Sequence, residues 1–150
     1  MSKDNSDTIR IRRARLSDVS GLAALTGQLG YPASAKQIAA RLKEVLRART
    51  GACFVAETRD RALAGWVHVS VKPLLEVDRC AEIDGIIVDE DLRSTGVGAR
   101  LLDEAERWAQ KRHCTGMNVR SNILRERAHQ FYLRQGYEHY KTQKTFRKAL

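Results

Sequence analysis

Residues 83–88 form an apolar run, Gly96 opens an amphipathic stretch, and Arg93-Ser94-Thr95-Gly96-Val97-Gly98 lies between them. A glycine-rich turn at the head of a helix is suited to bind an anion. The first helical turn leaves backbone N–H groups without partners, and the aligned peptide dipoles add partial positive charge there. Glycine at 96 and 98 removes Cβ atoms that would hold a phosphate away from those amides, and Arg93 adds a fixed charge. Two better-known glycine loops do not fit. The nucleoside triphosphatase loop ends in Lys-Ser/Thr, where this chain has Ala99-Arg100, and the dinucleotide fingerprint needs a third glycine where Leu101 stands.

Just upstream, Glu82 and Asp84 alternate along the same strand, so their side chains share a face. The four histidines, His68, His113, His129 and His139, show no ligand spacing, and Cys53, Cys80 and Cys114 show neither metal spacing nor an even count. No metal is implied, and the cysteines read as reduced thiols.

Around these residues the chain must build a sheet and its covering helices. Residues 8–13 alternate as a half-buried strand, and a helix follows, with Ser17 as cap and Val19, Leu22, Leu25 and Leu29 at helical spacing. Ser34 to Gln37 reads as a capping box for a second helix bearing Ile38, Leu42, Val45 and Leu46. Residues 52–57 and 63–71 form a hairpin about the polar turn 59–61, and the strand ending at Val88 comes next. After the glycine turn, Leu101, Leu102, Ala105, Trp108 and Ala109 mark the buried side of a helix. A short strand at 117–120, a helix at about 123–135 stopped by Gly136, and one or two strands in 137–148 complete the chain. A hairpin combined with later strand–helix–strand crossovers makes an α+β, or mixed α/β, sheet covered by helices.

The length of 150 residues fits one domain, 1–150, with a polar N-terminus at 1–7 that should be disordered. With 43% hydrophobic and 30% charged residues the composition is that of a soluble protein, and no apolar run approaches the roughly 20 residues of a membrane span. The start lacks a signal-peptide core, so the expected location is the cytoplasm, with no membrane partner. The net charge of +9 is dispersed along the chain without interleaved aromatics, which argues against nucleic acid as a partner.

Residues 81–137 resemble the GNAT superfamily, the acyl-coenzyme A dependent N-acetyltransferases. Its signature Arg/Gln-x-x-Gly-x-Gly/Ala is met by Arg93, Gly96 and Gly98. A second, Ala-x-x-hydrophobic-Tyr followed by Gly-aromatic, is met by Ala128, Phe131, Tyr132, Gly136 and Tyr137. Weaker likeness runs through residues 10–29 and 54–69. The resemblance implies a central mixed, mostly antiparallel sheet of about seven strands with about four flanking helices, splayed between strands four and five. The backbone of Ile86, Ile87 and Val88 would pair with pantetheine in that opening. Arg93 and the amides of Ser94, Thr95, Gly96, Val97, Gly98 and Ala99 would hold the pyrophosphate of acetyl-coenzyme A.

The same resemblance implies acetyl transfer to a primary amine by direct attack in a ternary complex. An alkylammonium with a pKa of about 10.4 must first lose a proton, at a cost of about 4–5 kcal/mol at neutral pH. Glu82 stands where histone-type members place a base, Asp84 is the second candidate, and ordered water is the third. Tyr132 stands where the family places the acid that protonates the leaving thiolate. Arg125 occupies a position where the family often has Asn, and Asn122 lies one turn earlier, where it can cap the helix; either would reach the cofactor.

The acceptor would lie among residues 29–32, 74–78 and 137–140, and the acid-rich segment 76–91 favours a cationic small-molecule amine. A protein or peptide acceptor is the alternative, and a non-catalytic module binding coenzyme A or nucleic acid is the rival of another class. A homodimer through the C-terminal strands is implied on resemblance alone.

Overall fold

A computed structural model describes residues 8–150, so the expected disorder of residues 1–7 lies outside the described residues. By its internal contacts the chain divides into two units, Met1–Arg120 and Ser121–Leu150. The first holds strands β1 (Arg10–Arg13), β2 (Gly51–Glu57), β3 (Leu63–Val71), β4 (Cys80–Val88) and β5 (Gly116–Val119). Its helices are α1 (Val19–Gln28), α2 (Ala35–Arg47) and α3 (Val97–Lys111), and the second unit holds α4 (Glu126–Arg134).

The strands lie in sequence order, β1-β2-β3-β4-β5. The first three pairings are antiparallel and the last, β4 with β5, is parallel. The α+β reading therefore holds, with five strands among the described residues. The further strands expected in 137–148 are not formed, since residues 137–150 hold neither helix nor strand. After the half-buried Tyr137, their large apolar residues, Tyr140, Phe146 and Leu150, are exposed. Lys141, Lys144, Arg147 and Lys148 lie among these three. Such a segment has no apolar face to bury, and a strand without burial is marginal in water.

The hairpin forms where the sequence places it, closed by the Thr58 N–H donating to the Ala62 carbonyl at 2.9 Å. The α2 capping box is also present, with Gln37 N–H donating to Ser34 Oγ at 3.1 Å and Ser34 N–H to Gln37 Oε1 at 2.9 Å. The start of α1 differs from expectation. Asp18, not Ser17, takes the local amide, accepting from Arg15 N–H at 2.7 Å through a 3₁₀ turn, Leu16–Asp18.

Asp18 has a second task there. Its carboxylate receives both terminal nitrogens of Arg12 at 2.8 Å, and Arg12 Nε donates to Glu57 at 3.0 Å. This ties β1, β2 and the entry to α1 into one ionic cluster in which Arg12 and Asp18 are nearly buried.

Two apolar layers sandwich the sheet. On one face α3 packs on β2, β3 and β4, with Leu101, Leu102, Val67 and Val69 fully buried. On the other face Leu22 of α1 and Ile38 and Leu42 of α2 cluster with Cys53 and Val55 of β2, with Trp66 packed against them. Burial pushes the Cys53 thiol up to about 12. All three cysteines are free, as the sequence implied.

In the second unit, α4 stops in a Schellman motif. Gly136 takes φ +88°, the Tyr137 N–H donates to the Tyr132 carbonyl at 3.0 Å, and the Gly136 N–H to the Leu133 carbonyl at 3.1 Å. The rings of Tyr132 and Tyr137 meet at 5.9 Å, the side-chain contact that accompanies such a stop. The spacing Tyr132…Gly136-Tyr137 therefore has a local physical reason.

The ionic cluster gives a pH-dependent prediction. The hydrogen bonds from Arg12 hold the Asp18 carboxyl below its ordinary value, against the opposing effect of burial. A depressed carboxyl stabilises the fold above its unfolded pKa, and that contribution fades as pH falls through the native value. Asp18→Ala should cost about 2 kcal/mol at pH 7, from the loss of the bidentate bonds to a nearly buried Arg12 that Glu57 alone then compensates. In urea unfolding, the gap between wild type and variant should close only below about pH 4, near the reference carboxyl value.

Candidate active site

β4 is bonded unequally on its two sides. Toward β3 its pairing runs to Val88, opposite Gly65, whereas toward β5 it runs only from Cys80–Gly116 to Ile83–Val119. Among the described residues the backbone from Asp84 to Val88 has no strand partner on the β5 side, at the place where the resemblance implies a splay. Ile86, Ile87 and Val88 all lie along this open edge. A row of unpaired amides and carbonyls is a template for an amide-bearing arm.

The glycine turn lies beyond the end of this strand. Gly96 caps α3 at φ +88°, and nothing lies within 4 Å of where a Cβ would stand. Ser94 also takes a left-handed φ of +63°, a conformation that a non-glycine residue adopts at a cost. The first intrahelical bond is Arg100 N–H to the Gly96 carbonyl at 3.1 Å, so the amides of Val97, Gly98 and Ala99 precede it. Val97 is buried and anchors the turn, while Arg93, Ser94, Thr95 and Gly96 are exposed. Open backbone donors on a fixed helix end are what an anion such as a pyrophosphate requires.

The two strand carboxylates have different surroundings. Glu82 accepts from Arg120 Nε at 2.6 Å, so an arginine directly after β5 engages it. Asp84 sits in a β-bulge: His68 pairs with Gly85 and the next residue, Val69, with Ile83, leaving Asp84 as the extra residue. The bulge brings the Asp84 carboxylate within 3.8 Å of His68 Nε2. Trp66 lies over the neighbouring Gly85. Its ring lies where a side chain on Gly85 would be, 2.8 Å from the position of a Cβ. Burial lowers the His68 imidazole from its ordinary value, while Asp84 raises it and Lys72 lowers it further.

Sequence reasoning did not find His68 or Arg120. His68 has a weak signal in the sequence, a polar residue at the alternate position of an otherwise apolar strand; Arg120 has none. The acid-rich segment 76–91 is not one mouth. Asp89 accepts from Gln28 Nε2 at 3.0 Å and caps the 3₁₀ turn Glu90–Leu92, and the Glu90 N–H donates to Gln28 Oε1 at 3.0 Å. Asp89 and the Glu90 amide thus fasten the loop after β4 to the end of α1.

In the second unit, burial pushes the Tyr132 phenol up to about 12, with the charge of Arg125 acting in the opposite direction. The phenol is thus held protonated across the neutral range. Arg125 caps α4. Asn122 Oδ1 accepts from the Leu124 N–H at 2.9 Å, which makes Asn122 the former of the turn before the helix. His129 Nε2 lies 2.9 Å from the Asn122 carbonyl oxygen.

Among the described residues no group of three or more His, Cys, Asp or Glu is placed to hold a metal, and no helix is long and apolar enough to cross a membrane. Two clefts of about 510 and 330 Å³ border β1, and the second is lined by Arg10, Arg12, Arg15, Arg59 and Arg61. Neither is lined by a residue of the site above.

The profile of the Acetyltransferase (GNAT) family matches residues 23–137. No curated protein matches the chain. Among solved structures, the aminoglycoside 6'-N-acetyltransferase AAC(6')-Ih from Acinetobacter baumannii is similar with a TM-score of 0.84 at 18% identity, covering 95% of this chain and 99% of that one. The aminoglycoside N-acetyltransferase AAC(6')-Iy in complex with CoA gives 0.84 at 21% identity, with 95% of each chain covered. A GNAT family acetyltransferase from Staphylococcus aureus gives 0.75 at 21%, covering 95% and 99%.

Proposed function

The chain belongs to the acetyltransferase (GNAT) family and is an N-acetyltransferase with acetyl-coenzyme A as co-substrate; from that premise we propose that its acceptor is a small cationic amine, acetylated by direct attack in a ternary complex. The observation that carries the acceptor class is the pair of carboxylates on β4, Glu82 and Asp84, at the strand that parts from β5. On a protein of net charge +9, a local acidic site is a field that draws an ammonium and not an anion. The likeness to two acetyltransferases named for aminoglycosides supports the same class. Since one family profile runs from residue 23 to 137, the proposal takes the chain as a single acetyltransferase domain.

On the donor side, Arg93 and the amides of residues 94–99 bind the pyrophosphate. The backbone of Ile86 to Val88 orients the pantetheine arm, and Arg125 adds a charge for the cofactor. Asn122 forms the turn that places α4. Acetyl-coenzyme A supplies an activated thioester. On the acceptor side Glu82 already satisfies Arg120, so Asp84 is the carboxylate that receives the ammonium and helps to remove its proton. Tyr132, kept neutral by its burial, gives its proton to the departing sulfur.

Calorimetric titration with acetyl-coenzyme A tests the donor site. Gly98→Asp should weaken binding at least about tenfold by setting a carboxylate against the phosphates. The fold should be kept, because an acid in the first helical turn is favourable by about 0.3–1 kcal/mol. Undiminished binding would remove the turn from the site. Free-thiol release with kanamycin, spermine, a lysine peptide, a neutral amine and an acidic amine tests the acceptor. Turnover of the first two above the rest is expected, and preference for the neutral or acidic amine would overturn the class.

Tyr132→Phe should lower kcat by about 10²-fold, the lower range for loss of a general acid, with acetyl-coenzyme A affinity unchanged. Full activity in that variant would reject the role.

A further inference from the structure

Four observations meet at one point of the sheet. His68 is a polar residue on a central strand, opposite Cys53 on β2 and Gly85 on β4. The bulge at Asp84 turns a carboxylate toward it, to 3.8 Å. Both side chains are partly exposed, at 31% and 24%. The bulge also falls at the residue where β4 loses β5 as a partner, so Asp84 stands at the start of the open edge, with His68 reaching it from the neighbouring strand β3. A bulge is costly to a ladder, and one that aims an acid at a half-buried imidazole beside an open strand edge has the form of an acid–base site.

We infer that His68 and Asp84 act as one proton-accepting pair for the acceptor amine, with His68 taking the proton and Asp84 holding the resulting charge. The inference rests on the acetyl-transfer reading above and names the base for it. At 3.8 Å the imidazole and carboxylate are not hydrogen-bonded to each other, so an ammonium can donate to both. Glu82, on the same strand face, is bound to Arg120 and does not compete.

The charged and titratable groups around the ring are few. Asp84 on β4 favours its protonation and Lys72, just past β3, opposes it. Cys53 on β2 is a neutral thiol, its pKa pushed up to about 12 by burial. The helices on this face, α1 and α2, present Leu22, Ile38 and Leu42 to the cluster around Cys53. Burial, the largest influence on the ring, lowers the His68 imidazole and keeps it neutral and able to accept at pH 7.

In the reaction, the ammonium gives one proton to His68 Nε2, which becomes imidazolium beside the Asp84 carboxylate. The freed nitrogen lone pair forms the N–C bond to the acetyl carbonyl carbon, and the C–S bond breaks. The second nitrogen proton replaces the one that Tyr132 gives to sulfur. His68 then returns its proton to water, so each turnover releases one proton.

The test is the pH profile of kcat and kcat/KM for wild type, His68→Gln and Asp84→Asn, using the amine of the panel above that wild type turns over fastest. Wild type should show an acid limb below about 6.5, the ordinary imidazole value. His68→Gln should lose about 10²-fold in kcat at pH 7, lose that limb, and gain rate steadily toward the pKa of the amine, with acetyl-coenzyme A affinity unchanged. Asp84→Asn should keep an acid limb displaced to lower pH, since the anion that favours the imidazolium is gone, and should raise KM for the amine.

A His68→Gln enzyme whose profile keeps the wild-type shape, at full rate or uniformly reduced, overturns the pair. An Asp84→Asn enzyme that loses the limb altogether makes Asp84 the base and overturns the assignment to His68. If wild type acetylates none of the panel, the acetyl-transfer reading falls and the pair with it, an outcome distinct from an active wild type with an unchanged variant.

Discussion

β4 cannot be bonded along both edges for its whole length, and the features on which the proposed chemistry depends follow from that limit. Up to Ile83 it is an interior strand, paired with β3 and β5; beyond Ile83 it is an edge strand, although β5 follows it in the described sheet. Backbone groups left without a ladder partner need another one, and water or a ligand amide can supply it. The bulge at Asp84 sits at this change of state, where one extra residue is easiest to insert because only one neighbouring strand constrains it. The open edge and the re-aimed acid are thus two results of the same interruption.

The glycine turn, the proposed anion-binding end of the site, depends on a different constraint. The turn between β4 and α3 takes two left-handed residues, Ser94 and Gly96, within three positions. Asp89 and Glu90 are pinned to Gln28 at the end of α1, so the loop is held at one end by α1 and at the other by the buried Val97. A backbone held at both ends presents its amides in one geometry, and binding then costs little ordering.

What was legible in the sequence was local. The capping box of α2, the hairpin of β2 and β3, the apolar stripe of α3 and the glycine turn each depend on residues within a few positions of one another, and the structure forms each of them. The place of the bulge, at Asp84, was not legible, because it is a mismatch of register between two strands and leaves no mark in either one alone. For the same reason the pairs Glu82–Arg120, His68–Asp84 and Arg12–Asp18 were invisible, their members being brought together only by the completed sheet. The tail failed in the opposite way. Its alternation of polar and apolar residues has the strand period, but period without a buried face does not make a strand.

The short β1 has a bearing on how the protein behaves in concentrated solution. It is an outer strand of the described sheet, only four residues long, and beside Arg12, whose charge Asp18 and Glu57 neutralise, it carries Arg10 and Arg13. Unpaired strand edges invite the same edge of another molecule, and clustered like charge repels that approach. Arg59, Arg61 and Arg15 line the neighbouring cleft and extend the barrier past the strand itself. Part of the protein's large positive charge can therefore be read as protection against aggregation, concentrated where a sheet would otherwise grow from one molecule into the next.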